Sequence, residues 1–333
     1  MTLRADTYSP KEFRVAIGYE AEAGTKDVDA LVSVDVDSVG FPSLNPVQSL
    51  DVRSGNGATA KLVDAFKTNK GTVKEITISG NAYSTPVKHL LTNLVGSGAG
   101  YPYVRVAYNH SGADIARGAS ATNFHNTMTV VIESPGTDHD LIFSGCVVTA
   151  LSFSGDMGTE GGRIKYSATI KTGDVPELSA ASLDAATLYS AGNQRDMTSW
   201  TITTLGDIAD TIMSNFTLNL EHDAHFLGFD TSGNPKVIGR GVEFSATLDA
   251  QIVYNVDSEA LFHTYEVGAA FATSGGIICG NNATIGSQTL FGFHIDTTAL
   301  TNAAYSEGDV MMVDTSWKAL ALASGHLIEI TCA

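Results

Sequence analysis

The residues of this chain best suited to hold a metal are His139, in the segment TDHD, and His222 and His225, in EHDAH, because imidazole and carboxylate are the usual ligands. Neither segment has the H-E-x-x-H spacing that sets two imidazoles on one face of a helix, so both read as solvated loop residues. The glycines of LVGSGAGYP, residues 94–102, follow a helical pattern and precede a strand pattern. A phosphate site needs the opposite order, a strand and then a helix N-terminus, so these glycines read as a helix C-cap and loop. GDMGTEGG lacks the lysine of a P-loop, and its Asp156 and Glu160 do not have EF-hand spacing. Cys146, Cys279 and Cys332 are too far apart for a C-x-x-C site and read as small packing residues. With no G-x-S-x-G elbow either, no catalytic residue, metal ligand or cofactor is assigned, and the chain is expected not to be an enzyme.

Charge is the stronger signal. The 36 Asp and Glu outnumber the 19 Lys and Arg, giving a formal net charge of −17. A field of that sign repels a phosphate backbone, which argues against a nucleic-acid reader. The acids fall on the polar side of alternating segments. In LVSVDVDS, Asp35 and Asp37 alternate with valines; in VEFSATLD, Glu243 and Asp249 share a face with Ser245 and Thr247, while Val242, Phe244, Ala246 and Leu248 take the other. Such a face can simply keep a sheet wet. Joined to the net charge it can also form an anionic wall, and Asp51, Glu221, Glu243 and Asp249 are the candidates to line it.

The elements that must carry these residues are mostly strands. With 43% hydrophobic residues, 17% charged residues and 33 glycines, the composition suits many short strands and turns. GCVVTALSFSGDMGTEGGRIKYSATIKTG, residues 145–173, alternates, breaks at a turn with four glycines and alternates again, which predicts a β-hairpin burying Val147, Leu151, Phe153, Ile164, Tyr166, Ala168 and Ile170. Long-looped hairpins are also predicted between VQSLDVRS and TVKEITISG, and between SNFTLNLEHD and VEFSATLDAQ. Each of these two is followed by a short helix: STPVKHLLTNLV with Pro86 at the first helical position and Val87, Leu90, Leu91 and Leu94 on one stripe, and VDSEALFHTYEVG with Asp257 or Ser258 as N-cap. Corresponding segments recur at offsets of about 163 to 170 residues, from Thr77 against Thr247 to Gly162 against Gly325, the mark of a duplicated unit. DLIFSGCVVTALSFSGD is matched with EGDVMMVDTSWKALALASG, and GRIKYSATIKTG with GHLIEITCA. The expected fold is therefore mainly β: an N-terminal arm (1–27), a first β-sandwich or barrel domain (28–173), a linker (174–198) and a second such domain (199–333), each domain with a short flanking helix. The N-terminus has no apolar h-region and no run reaches 18 apolar residues, so neither secretion nor a membrane span is expected.

Two stretches carry a family resemblance. IGYEAEAGT, residues 17–25, resembles the Glu-x-x-x-Gly-Thr stretch near the start of the tail tube proteins of long-tailed bacteriophages. FSGCVVTALSFSGDMGTEGGRIKYSATIKTGD is similar to that family's closing hairpin, with its Gly-x-Val beginning, serine-rich strand and Gly-Gly turn. The duplicated second half and the long N-terminal arm depart from the family pattern. The resemblance implies a structural virion protein, made in the host cytoplasm, whose sheets join around a ring. Rings stack through long loops into a tube, and double-stranded DNA passes down the bore. It further implies other tail proteins as partners. Because each chain would supply two tube domains, a trimeric ring with pseudo-six-fold symmetry is expected. A tandem β-sandwich adhesin or capsid decoration protein is the alternative; against it, Trp200 and Trp317 are the only tryptophans and do not form a recurrent sugar platform in the sequence.

Overall fold

Alternation of apolar and polar residues favours strands with one buried face, and strands dominate the structure. It is a computed structural model that describes residues 9–42, 47–50, 65–67, 71–95, 103–107, 112–120, 126–136, 140–179, 183, 186, 195–197, 200–206, 208, 212–256, 258–259, 262–263, 276–280, 291–306, 309–321 and 325–332. The first half carries β1 (Arg14–Tyr19), β2 (Val32–Val34), β3 (Ser38–Gly40), β4 (Val47–Leu50), β5 (Ala65–Lys67), β6 (Lys74–Asn81), helix α1 (Ser84–Val95), β7 (Tyr103–Ala107), β8 (Asp114–Ala116), β9 (Met128–Glu133), β10 (Asp140–Asp156), β11 (Lys165–Thr172) and β12 (Glu177–Ser179). The second half carries β13 (Thr201–Leu205), β14 (Met213–Leu227), β15 (Val237–Val253), β16 (Ile277–Gly280), β17 (Phe291–Ile295), β18 (Thr297–Ser306), β19 (Met312–Leu320) and β20 (His326–Cys332).

The spine of the molecule is one long antiparallel path, β3-β6-β11-β10-β14-β15-β19-β18. Its midpoint is the pairing of β10 with β14, which joins the two halves over seven residue pairs from Ala150↔Glu221 to Asp156↔Asn215. The lower part of β10 also pairs with β9 and β12, and β9 continues to β1 and β2. A second sheet, β13-β16-β17-β20-β7, mixes the halves again, because β7 of the first half pairs with β20 at the far end of the chain. The two sheets meet through an aromatic cluster: Phe153 and Phe291 have ring centroids 5.0 Å apart, Phe216 and Phe293 5.9 Å, and Trp200 stacks on Phe291 at 5.9 Å. One contiguous core runs from Val15 to Ile330, so the intervals 28–173 and 199–333 share their buried side chains.

The hairpin of residues 145–173 forms as β10 and β11, and all the residues expected to be inside are buried. Gly161 and Gly162 take positive φ in its turn. The hairpin β14–β15 also forms, although Val242, expected inside, is 79% exposed beside a register shift after His222. Several expectations need correction. VQSLDVRS does not pair with TVKEITISG: β4 pairs with β5, while β6 lies between β3 and β11. The segment RVAIGY, read as part of an arm, is strand β1, which pairs with β2 and β9 because four consecutive residues of it are buried. In the second half, the counterpart of the β10–β11 hairpin is β18–β19, not 307–325 with 325–333, since β18 and β19 hold the same places in the sheet path. Helix α1 buries Val87, Leu90, Leu91 and Leu94 as its stripe requires. Val256, Ser258, Glu259, Phe262 and His263 are also helical. The residue capping them is Asn255: its side-chain oxygen accepts from Ser258 N at 3.0 Å while Ser258 Oγ accepts from Asn255 N at 2.8 Å.

Two buried polar nodes lock these parts together. The carboxylate of Glu20, 2% exposed, accepts hydrogen bonds from Gly24 N (2.8 Å), Thr127 Oγ1 (2.6 Å), Thr129 Oγ1 (2.9 Å) and Gly145 N (2.9 Å). Gly24 and Gly145 both have positive φ, and a side chain on Gly24 would strike Arg117, which donates to Gly24 O and to Asp174. The Glu-x-x-x-Gly-Thr stretch and the Gly-x-Val start of the closing hairpin thus meet at one carboxylate. Burial raises the Glu20 carboxyl above its ordinary value, against the pull of the four hydrogen bonds. The second node caps α1, whose last carbonyls lack helical partners. Arg240 of β15 donates to Asn93 O, Asn93 Oδ1 and Val148 O, and His222 of β14 lies 2.9 Å from Leu94 O and 2.9 Å from Gly241 O. The second half therefore terminates the first half's helix.

Candidate functional site

Residues paired in register across neighbouring strands lie on one face of a sheet, so the long path can be followed row by row. One row runs Ser38, Ser79, Ser167, Ser152, Asn219, Thr247, Lys318, Ala299. A second runs Asn81, Lys165, Ser154, Thr217, Asp249, Ser316, Asn302. On one side of these lies Gly40, Thr77, Thr169, Ala150, Glu221, Ser245, and on the other Asp156, Asn215, Gln251, Asp314, Ala304. No aromatic or large aliphatic side chain interrupts any of these rows. The intervening residues, among them Leu151, Phe153, Leu218, Leu220 and Leu248, are buried on the opposite face. The sequence folds this way because its period of two holds through strands of both halves.

The face is polar and acid-rich. Glu75, Asp156, Glu221, Asp223, Glu243, Asp249 and Asp314 lie on it, against Arg163, Lys165, Lys171 and Lys318 among the described residues. Glu221 and Glu243 come together with Glu75, Asp223 and Lys171 around a shallow depression of about 480 Å3. Lys171 Nζ approaches Asp223 Oδ1 at 3.7 Å. Asp249 sits two rows away, 3.5 Å from the Asn219 amide, and the face is laced by Ser38 Oγ to Ser79 Oγ at 2.8 Å and Gln251 Nε2 to Asp314 Oδ1 at 2.9 Å. At the end of β10, the Thr159 hydroxyl and the Gly158 N–H hold the Asp156 carboxyl below its ordinary value. Exposure to water lets these like charges coexist, since two of them 4 Å apart cost only about 1 kcal/mol there. Chemically the face can repel phosphate, accept water and loosely attract cations.

Of the four acids taken from the sequence, Glu221, Glu243 and Asp249 are thus on one face, and Asp51 lies outside the described residues. Asp314, Glu75 and Asp223 were missed, although simple parity along their strands marks them as polar-face residues. The histidine segments do not converge. His139 lies outside the described residues, His222 is buried against α1, and His225 Nε2 contacts Asp114 Oδ1 at 2.8 Å. Burial and the neighbouring Arg240 push the His222 imidazole below its ordinary value. Among the described residues no group of three or more His, Cys, Asp and Glu is arranged to hold a metal, and no helix is long and apolar enough to cross a membrane. Cys146 and Cys279 are free, buried thiols raised above their ordinary value by burial. No protein-family model matches the chain, and a search of curated proteins finds no match either.

Proposed function

We propose that this chain is a structural virion protein that polymerises into stacked rings, forming the tail tube of a long-tailed bacteriophage and an acidic passage for double-stranded DNA. The observation that carries the reading is the polar face, four rows of which cross the β10–β14 junction of the two halves without a large apolar side chain. A wall of carboxylates, hydroxyls and amides repels phosphates and offers few cations to hold them, so a like-charged polymer slides without being trapped. Supporting the family reading, both stretches that carry the resemblance are tied to Glu20. On this reading the protein is made in the host cytoplasm, works in the virion tail alongside other tail proteins, and needs no cofactor.

Negative-stain microscopy of the purified protein at high concentration tests this directly. Hollow tubes or stacked rings are expected, with rings of three chains showing pseudo-six-fold symmetry. A protein that stays monomeric at every concentration and salt condition would overturn the reading, and rings of six chains would overturn the trimer.

A further inference from the structure

The long path consists of two four-strand blocks laid side by side: β3-β6-β11-β10 and β14-β15-β19-β18. Position by position, β14 takes the place of β3, β15 of β6, β19 of β11 and β18 of β10. The amino acids agree with this placement. The row Gly40, Thr77, Thr169, Ala150 of the first block matches Asn219, Thr247, Lys318, Ala299 of the second. Thr149-Ala150-Leu151 corresponds to Thr298-Ala299-Leu300, and Thr77 to Thr247. The blocks join where the last strand of the first, β10, meets the first strand of the second, β14. The same two kinds of edge are left over at the ends of the path, since β18 and β3 each pair on one side only among the described residues.

Resting on the self-assembly reading above, we infer that the β10–β14 junction within one chain is the template for the junction between chains: β18 of one copy pairs antiparallel with β3 of the next. The register follows by substitution. Ala150↔Glu221, Ser152↔Asn219 and Ser154↔Thr217 become Ala299↔Pro42, Asn302↔Gly40 and Ala304↔Ser38 of the next copy, with Thr301 as the extra residue of a bulge. Leu300 then meets Phe41, and Ala303 meets Val39, on the core side.

Exposure at both edges fits a missing neighbour. Ala303 is paired with Thr315, which is buried, yet Ala303 itself is exposed. Phe41, in the place corresponding to the buried Leu220, is 43% exposed. Strand β18 runs ten residues without a charge or a proline, the kind of edge that proteins protect unless another strand is meant to cover it.

The test is cysteine cross-linking of the full chain. The double variant Ala304→Cys/Ser38→Cys, oxidised with diamide after assembly, should give a ladder of covalent oligomers on a non-reducing gel. The single variants should not, nor should Ala304→Cys/Pro42→Cys, which is out of register by about four residues, about 13 Å along a strand. Tubes or rings seen by microscopy with no ladder would overturn the junction while leaving the tube reading standing. A register-specific ladder with closed rings that never stack would support the junction and count against the tube. Monomers with no ladder would overturn both.

Discussion

At the scale of single residues, His222 is the most exacting position. Both its ring nitrogens lie 2.9 Å from carbonyl oxygens, of Leu94 and of Gly241, yet a neutral imidazole can donate to only one of them. An imidazolium would satisfy both, but burial and the charge of Arg240 oppose it more strongly than Asp223 and the two carbonyls favour it. The folded-state value is therefore below the ordinary 6.5. In the unfolded chain the ring takes up its proton first as pH falls, so this residue's contribution is complete above about pH 6.5 and declines below it, at no more than about 1.4 kcal/mol per pH unit. Replacing it with glutamine should lower the urea midpoint at about pH 7.5 and make the midpoint's dependence on pH shallower between about 7.5 and 5.5. An unchanged slope would show that the imidazole does not titrate in that window. Nothing in EHDAH announces this role, because the partners of His222 are backbone groups contributed by α1 and β15.

At the scale of elements, the decisive one is β18. Ala303→Lys places a charge on the core side of an edge that is open in the isolated chain. The free chain should keep its stability to within about 0.5 kcal/mol, as exposed substitutions do, while assembly followed by sedimentation should be lost. Assembly unimpaired by the lysine would mean that β18 is not at the junction. The strands themselves were legible in the sequence, because alternation is local: β10, β11, β14 and β15 follow directly from it, as does the apolar stripe of α1. Their partners were less legible. Residues 47–54 and 72–80 look like two arms of a hairpin, but pairing depends on what else competes for the edge, and β11 and β3 take both sides of β6. Equivalent places in the sheet identified β18–β19 as the counterpart of β10–β11 where sequence offsets had chosen later segments. The polar face was legible strand by strand; its continuity was not, since that depends on register across eight strands.

At the scale of the molecule, the chain carries a net charge of −17, and three of the four acids chosen from alternation alone stand on one sheet face. If that face lines a bore, Glu221→Lys/Glu243→Lys/Asp249→Lys should leave tube formation intact and convert a surface indifferent to DNA into one that binds it. Fluorescence anisotropy with a short duplex should show no binding to wild-type tubes. Binding to the variant tubes should weaken by about tenfold or more between about 50 and about 200 mM salt. Equal behaviour of the two would place these acids away from the path of the nucleic acid.

The shared architecture also governs how the chain can be made. Strand β7 belongs to a sheet whose other members are synthesised later, and the end of α1 is closed by Arg240 and His222 from β15 and β14. When the first half leaves the ribosome, its helix has no terminator and β10 has no partner along its upper edge. The nascent polypeptide must therefore wait, incompletely packed, until translation has delivered the last strand, β20.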